Sequence, residues 1–302
     1  LLDRALHGDD LDDLDLLELD GVVGDTYIVM NSGTVGTPKD GETVYAGAVY
    51  GNIYGGGLGT EETSKMTEAQ AVQEAGIIKG NTNITVNGGT VLHNIYGGGA
   101  NGSVGTFTYD GNNVITGRTS GGVANITILG GTIGTDGHEN GMIFGSSRGD
   151  VGKPGEIQDK LAWVYDTNVT IGKTADATAG PQIKGSVYGS GENGHTYHDA
   201  AVNIHSGMVG ITDVSIDGGA AYPYRGNVYG GGCGTDKYWI DANSNGVKDA
   251  GEEHYNLTAG IVGTTTALGT TTVTIDGAHV VRNVYGGGAM GSVTGGTTVN
   301  IS

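Results

Sequence analysis

Residues 271–296 read TTVTIDGAHVVRNVYGGGAMGSVTGG, and from Thr297 the chain begins the same way again with TTVNIS. The opening TTVTI is β-branched throughout and alternates Thr with Val or Ile, the period of a strand with one buried face. A glycine turn follows, then a short apolar step, then NVYGGG. That phrase recurs as GNIYGGGLGT from Gly51, HNIYGGGANGSV from His93 and GNVYGGGCGT from Gly226. Two eroded copies lie between them, MIFGSSRGDVG from Met142 and GSVYGSGENG from Gly185. Alternating stretches recur as well: TYIVM from Thr26, TNITV from Thr82, ANITIL from Ala124, TNVTI from Thr167 and AVNIH from Ala201.

A unit of 26 residues is too short for a propeller blade, which needs about 40–45 residues and four strands. It fits one coil of a parallel β-helix, in which each strand pairs with its own equivalent about 4.8 Å away. The expected fold is therefore all-β: a single-stranded parallel β-helix (β-solenoid), right-handed, spanning 26–302 with about six to seven coils and long loop insertions. Such a stack stands about 30 Å tall. The phrase aromatics lie 41 to 56 residues apart, and the polar excess over the bare unit is assigned to loops bulging from the coils. The glycines of the phrase are expected to take positive φ at a corner and to let backbones approach closely.

Composition agrees. Glycine supplies 61 of 302 residues and proline 4, which suits short strands and turns and works against helices. The net charge of −19 repels a nucleic-acid backbone and an anionic membrane surface, leaving divalent cations and neutral sugars as natural partners. A lone cysteine, Cys233, rules out an internal disulfide framework or a multi-cysteine zinc site and reads as a small residue in a glycine-like slot. No apolar run reaches the about 18 residues of a membrane span, so membrane insertion of this segment is not expected. Residues 1–25 are read as an acidic N-terminal cap or linker, with the leucines of LDDLDLLELDG (Leu11 to Gly21) set against the first coil. They lack a starting Met and the order of a signal peptide, and the end at TTVNIS breaks off mid-repeat. The chain thus reads as a processed or excised piece.

The sharpest motif is DANSNGVKDAGE, Asp241 to Glu252, within an insertion at about 236–255. It fills every position of the twelve-residue calcium loop: Asp241, Asn243 and Asn245 at 1, 3 and 5, Gly246 at the sharp turn, the Val247 carbonyl at 7, Asp249 at 9 and Glu252 at 12. The bland alternative is an Asx-rich solvated turn without metal. Calcium is the one cofactor expected.

Two columns follow from the repeat. Asn52, Asn94, Asn227 and Asn283 hold one position and read as a structural ladder. Tyr54, Tyr96, Tyr188, Tyr229 and Tyr285 hold another. Facing outward they form a sugar-stacking strip; facing inward they fill the core.

Other motifs carry less. GSGENG (Gly189 to Gly194), GGGANG and GGGAMG match G-x-G-x-x-G without the helix that dinucleotide binding needs. GSSRG (Gly145 to Gly149) matches the nucleophile elbow with Ser147 but lacks strand–turn–helix context. RGD (Arg148 to Asp150) is an adhesive tripeptide only on a loop tip. HTYHD (His195 to Asp199) offers two imidazoles and a carboxylate, read as exposed polar residues before a zinc site. Glu61, Glu62, Asp136, Glu139, Asp150 and Glu192 are loop carboxylates without a defined catalytic separation, and no catalytic residue is assigned.

The stretch TVTIDGAHVVRNVYGGG and its siblings resemble the repeats of adhesin-like secreted or surface β-helix proteins of gut Bacteroidota, over about Thr26 to Ser302. The resemblance implies extracellular or cell-surface display in a bacterium and attachment or fibre-like assembly, with glycans, a host or neighbouring-cell surface, or further copies of itself as partners. The expected function is a non-catalytic, calcium-stabilised surface solenoid. The alternative is a carbohydrate-binding or carbohydrate-cleaving β-helix protein acting on polysaccharide.

Overall fold

The structure, a computed structural model, describes residues 22–36, 51–136, 140–150, 152–174, 180–213, 225–234, 237–247 and 249–302. Most of the acidic segment read as a cap or linker, and Glu139, lie outside these residues.

Among the described residues the chain is nearly all-β, and its three large sheets are parallel throughout. The alternating stretches form the first sheet: Thr26–Met30, Thr82–Val86, Val123–Ile128, Asp166–Ile171, Ala200–Ile204, Thr271–Ile275 and Thr297–Ile301, hydrogen-bonded in chain order. The second sheet holds pairs after the glycine turn, from Thr34–Val35 to His279–Val280. The third holds the phrase pairs Ile53–Tyr54, Ile95–Tyr96, Ile143–Phe144, Val187–Tyr188, Val228–Tyr229 and Val284–Tyr285. The chain visits first, second and third sheet in that order and then begins the next circuit. A fourth line of parallel bridges joins Val22, Ile78, Val104, Val164, Thr196, Val262 and Val293.

Register is strict, so like stacks on like. Ile28, Ile84, Ile126, Val169, Val202, Val273 and Val299 are successive partners in the first sheet. In the middle circuits these strands bury alternate residues. Their inward side chains meet Val91, Ile133, Ile183 and Val209 of the second sheet and Ile95, Ile143, Val187 and Val228 of the third in one aliphatic core. Burying each such side chain contributes about 1.5–3 kcal/mol. Threonines at the head of the first-sheet strands tie this sheet to the third: the hydroxyls of Thr26, Thr82, Thr167 and Thr271 donate to the carbonyls of Gly55, Gly97, Gly189 and Gly286.

The phrase glycines meet the expectation of close backbone approach and depart from that of positive φ. Gly55, Gly97, Gly145, Gly189 and Gly230 do not take positive φ; a Cβ on any of them would overlap the carbonyl oxygen of the equivalent glycine one circuit on. Their requirement is steric. The left-handed corner instead falls before the phrase, at Gly51 (φ 79°) and Gly226 (φ 77°).

Two insertions carry structure that the repeat did not announce. Glu68–Gln73 is a short helix started by a capping box, Thr67 with Gln70. Thr106–Tyr109 and Ile115–Ser120 form an antiparallel hairpin. The helix packs Val72 against Leu161 and Ala162.

The glycine packing makes a test. Gly145→Ala is expected to lower stability by about 1–3 kcal/mol through overpacking against backbone, read as a fall in the urea midpoint. Gly287→Ala, whose Cβ would meet nothing within 4 Å, should change it by no more than about 0.5 kcal/mol.

Candidate functional site

The loop of Asp241 to Glu252 is bracketed by an antiparallel pair, Lys237–Trp239 with Glu253–Tyr255, so its two ends are held side by side. Within it, Asp241 accepts the backbone N–H groups of Asn245 (3.0 Å) and Gly246 (2.8 Å). Asn243 Oδ1 accepts from the Asn245 N–H at 3.1 Å, and Asn245 Oδ1 from the Val247 N–H at 2.7 Å. Gly246 sits at φ 73°, the sharp turn that brings the following ligands back. Both Asn amide nitrogens, Asn243 Nδ2 (2.7 Å) and Asn245 Nδ2 (2.9 Å), donate to Asp249 Oδ2. Glu252 is buried and oriented by the N–H groups of Ala242 and Asp249, one to each carboxylate oxygen. The side chains at positions 1, 3, 5, 9 and 12 therefore converge on one hydrogen-bonded network. Rotating the two amides by half a turn would face oxygens toward Asp249 in place of N–H groups.

The asparagine position is a continuous column of acceptors. Asn52 Oδ1 takes the Asn94 N–H (3.0 Å), and Asn94 Oδ1 takes the Met142 N–H (2.9 Å). The Met142 thioether then faces the Ser186 N–H at 3.1 Å, and Ser186 Oγ accepts from the Asn227 N–H at 2.9 Å. Asn227 Oδ1 receives the N–H and the amide of Asn283. The two eroded phrases change the side chain and keep an acceptor.

The aromatic position stacks Tyr54, Tyr96, Phe144, Tyr188, Tyr229 and Tyr285 with ring centroids 4.8 to 5.0 Å apart and planes within 14°. Alternation does carry the rings to the side opposite the aliphatic core, but that side is covered. Tyr96 and Tyr188 are fully buried, and the cluster includes Met142 and Cys233. The Tyr96 hydroxyl donates to Glu192 at 2.6 Å, and burial, with that carboxylate, raises its pKa well above the usual value. Of the two arrangements left open for this column, the packed one describes these rings: ring faces meet ring faces, and of the six only Tyr285 is exposed.

The remaining motifs resolve into packing. Ser147 is fully buried, its hydroxyl bonded to Gly102 O and accepting from Gly99 N–H. Arg148 lies between Asp150 (3.2 Å) and Glu192 (3.7 Å), so the RGD arginine is engaged in ion pairs with these two of the loop carboxylates. GSGENG leads into the short strand His195–Thr196, not a helix. His195, expected as an exposed loop residue, is 2% exposed and lies 4.5 Å from the Trp163 ring. Desolvation lowers its pKa to about 4.

A cleft of about 680 Å³ opens between the hairpin, the 155–163 segment and residues 264–266, lined by Thr116, Asp159, Lys160, Trp163 and Thr264 among others. It was not legible in the sequence, because its walls come from three insertions far apart in the chain. No described helix is long and apolar enough to cross a membrane. No family model, curated protein or solved structure matches the chain.

Two tests follow from this geometry. Asn94→Leu should cost about 1–3 kcal/mol by leaving the buried Met142 N–H unpaired, whereas Asn283→Leu, at an exposed position, should cost less because water replaces the bond. His195 is held neutral when folded, so the unfolded chain binds the extra proton between its ordinary pKa of 6.5 and the folded value of about 4. Its contribution, on the order of 3 kcal/mol, should be complete above pH 6.5 and vanish as pH falls toward 4. Melting temperatures across that range should fall less steeply in His195→Gln than in the parent.

Proposed function

We propose that the chain is a parallel β-solenoid, a β-helix, that acts as a non-catalytic scaffold at a bacterial cell surface or outside the cell, in adhesion or fibre-like assembly. The observation that carries this reading is the unbroken stacking of the aromatic column through six successive circuits. Residues that sequence repetition would advertise as a binding strip are instead consumed in holding the stack. Insertions such as the 106–120 hairpin and the 237–255 loop project from that scaffold, where variable recognition is usually carried. Glycans, a host or neighbouring-cell surface, or further copies of the chain are the proposed partners. Beads coated with the chain should be retained on such a surface, with retention lost after the coat is unfolded. Release of reducing sugar ends from polysaccharide by the chain would overturn the non-catalytic reading.

Calcium is the proposed stabiliser of the 241–252 loop. What supports it is the donor set: three carboxylates, two amide oxygens and the Val247 carbonyl, all oxygen, as a hard cation requires. Asp249 already draws in two N–H donors, the place where positive charge is wanted. Outside cells calcium is millimolar, enough for a site of about 10⁻⁴–10⁻³ M. Calorimetry should show one calcium per loop, abolished by Asp241→Ala. Chelation should raise hydrogen exchange within 240–255 and leave the three sheets protected. Absence of uptake would remove the claim.

The cleft favours a second reading, carbohydrate binding, since Trp163 with Asp159, Lys160 and the threonines combines an apolar ring with polar groups suited to a sugar. Oligosaccharide titration should then perturb the Trp163 fluorescence.

A further inference from the structure

Three side chains of metal-ligating type meet at the corner where the chain turns into the first sheet, two of them, His198 and Asp199, from the HTYHD run and the third, Asp166, from the preceding circuit. Asp166, Asp199 and Thr270 each immediately precede strand residues that are register partners in three successive circuits, Thr167, Ala200 and Thr271. His198 Nδ1 lies 3.0 Å from Asp166 Oδ1 and 3.3 Å from Asp199 Oδ2. One ligand atom from each of Asp166, His198 and Asp199 falls within 4.8 Å of the other two, and this is the only such group of three among the described residues.

The surroundings fix these groups. The N–H and hydroxyl of Thr270 both donate to Asp199 Oδ1, at 2.9 and 2.7 Å, which leaves Oδ2 turned to the imidazole. The Asp199 N–H donates to Asp166 Oδ1 at 3.0 Å. The His198 ring stacks on Tyr165 with centroids 5.2 Å apart, and Arg118 caps that tyrosine 3.7 Å above its ring. An opening of about 400 Å³, lined also by Asn168, Ala201 and Thr272, leads to the trio.

Stacking in register normally places like on like, and for carboxylates that is costly. Two unit charges about 4 Å apart repel by about 1 kcal/mol in water and about 4 kcal/mol at an effective dielectric of 20. An imidazolium offsets one of the two charges; a divalent cation offsets both. We propose that Asp166, His198 and Asp199 form a binding site for a divalent transition-metal ion, zinc above all, which clasps two successive circuits. The imidazole selects against calcium and magnesium, which take oxygen ligands, and suits zinc. Zinc bonds of about 2.0–2.2 Å in a tetrahedron place ligand atoms about 3.3–3.5 Å apart, close to the separations of the histidine nitrogen from both carboxylates. The fourth position faces the opening and is available to water or to an anionic group of a partner.

The test uses the whole chain, stripped with chelator and titrated with zinc chloride in millimolar calcium, so that the 241–252 loop is already filled. Calorimetry should show one zinc per chain, with affinity at least tenfold weaker in His198→Gln and in Asp199→Asn. Cobalt substituted for zinc should give visible d–d bands that disappear in His198→Gln. His205, 2.7 Å from Asp276 but outside any group of three, is the control: His205→Gln should leave uptake unchanged. Far-UV circular dichroism of the metal-free variants checks folding, and if Asp199→Asn fails to fold, the partly exposed His198→Gln carries the result. Zinc uptake that is absent in the parent, unchanged in His198→Gln or lost in His205→Gln would overturn the site.

Discussion

Every parallel strand in this molecule takes its backbone partners from the circuits on either side, and that single requirement fixes the register of everything else. Once Ile126 is paired with Val169 and Phe144 with Tyr188, the column at each position must tolerate self-stacking. Aliphatic residues gain from it by excluding water, rings by lying parallel at the strand spacing, and asparagines by passing an acceptor to the next N–H. Charges lose by it, and among the described residues most charged side chains sit in insertions or at corners.

The same requirement explains how two degraded copies of the phrase persist. Met142 lacks the polarity of asparagine and Ser186 its length, yet each offers an atom to the N–H of the following circuit. Phe144 replaces tyrosine without a gap, because the stack needs the ring and its neighbours supply the contacts. At the first phrase glycine no replacement appears in any of the six copies: in five of them a neighbouring carbonyl occupies the space a side chain would take, and at Gly286 the Thr297 side chain does.

The strands and their parallel partners were legible because alternation and repetition are local signals, and the phrase marked the third sheet. The same reading left the rings open between solvent and core: period two tells which side of a strand a residue takes, not whether another part of the chain covers that side. The helix at Glu68–Gln73 lies in a glycine-free stretch, 60–75, and was signalled by Thr67 and Gln70 and by the helix-favouring run EAQAVQ, but six residues are too few for a clear helical period. His195 and His198 look equivalent in HTYHD, but one is buried against Trp163 and the other lies beside Asp166, contacts that reach back some thirty residues. The 241–252 loop was visible as a motif because all its oxygen-bearing side chains lie within twelve consecutive residues. The Trp163 cleft and the Asp166 corner were not, because they are assembled across circuits.

The line of short parallel bridges on the fourth side has a mechanical consequence. Tension applied along the stack loads the interfaces between circuits in series, so the weakest opens first and the rest remain shut. Each circuit that peels away would release the 41 to 56 residues between successive phrases, about 14–19 nm of extended chain. A stack of this kind would lengthen in discrete steps under load and dissipate work at each one, as a shock absorber does, while the circuits still closed keep their shape.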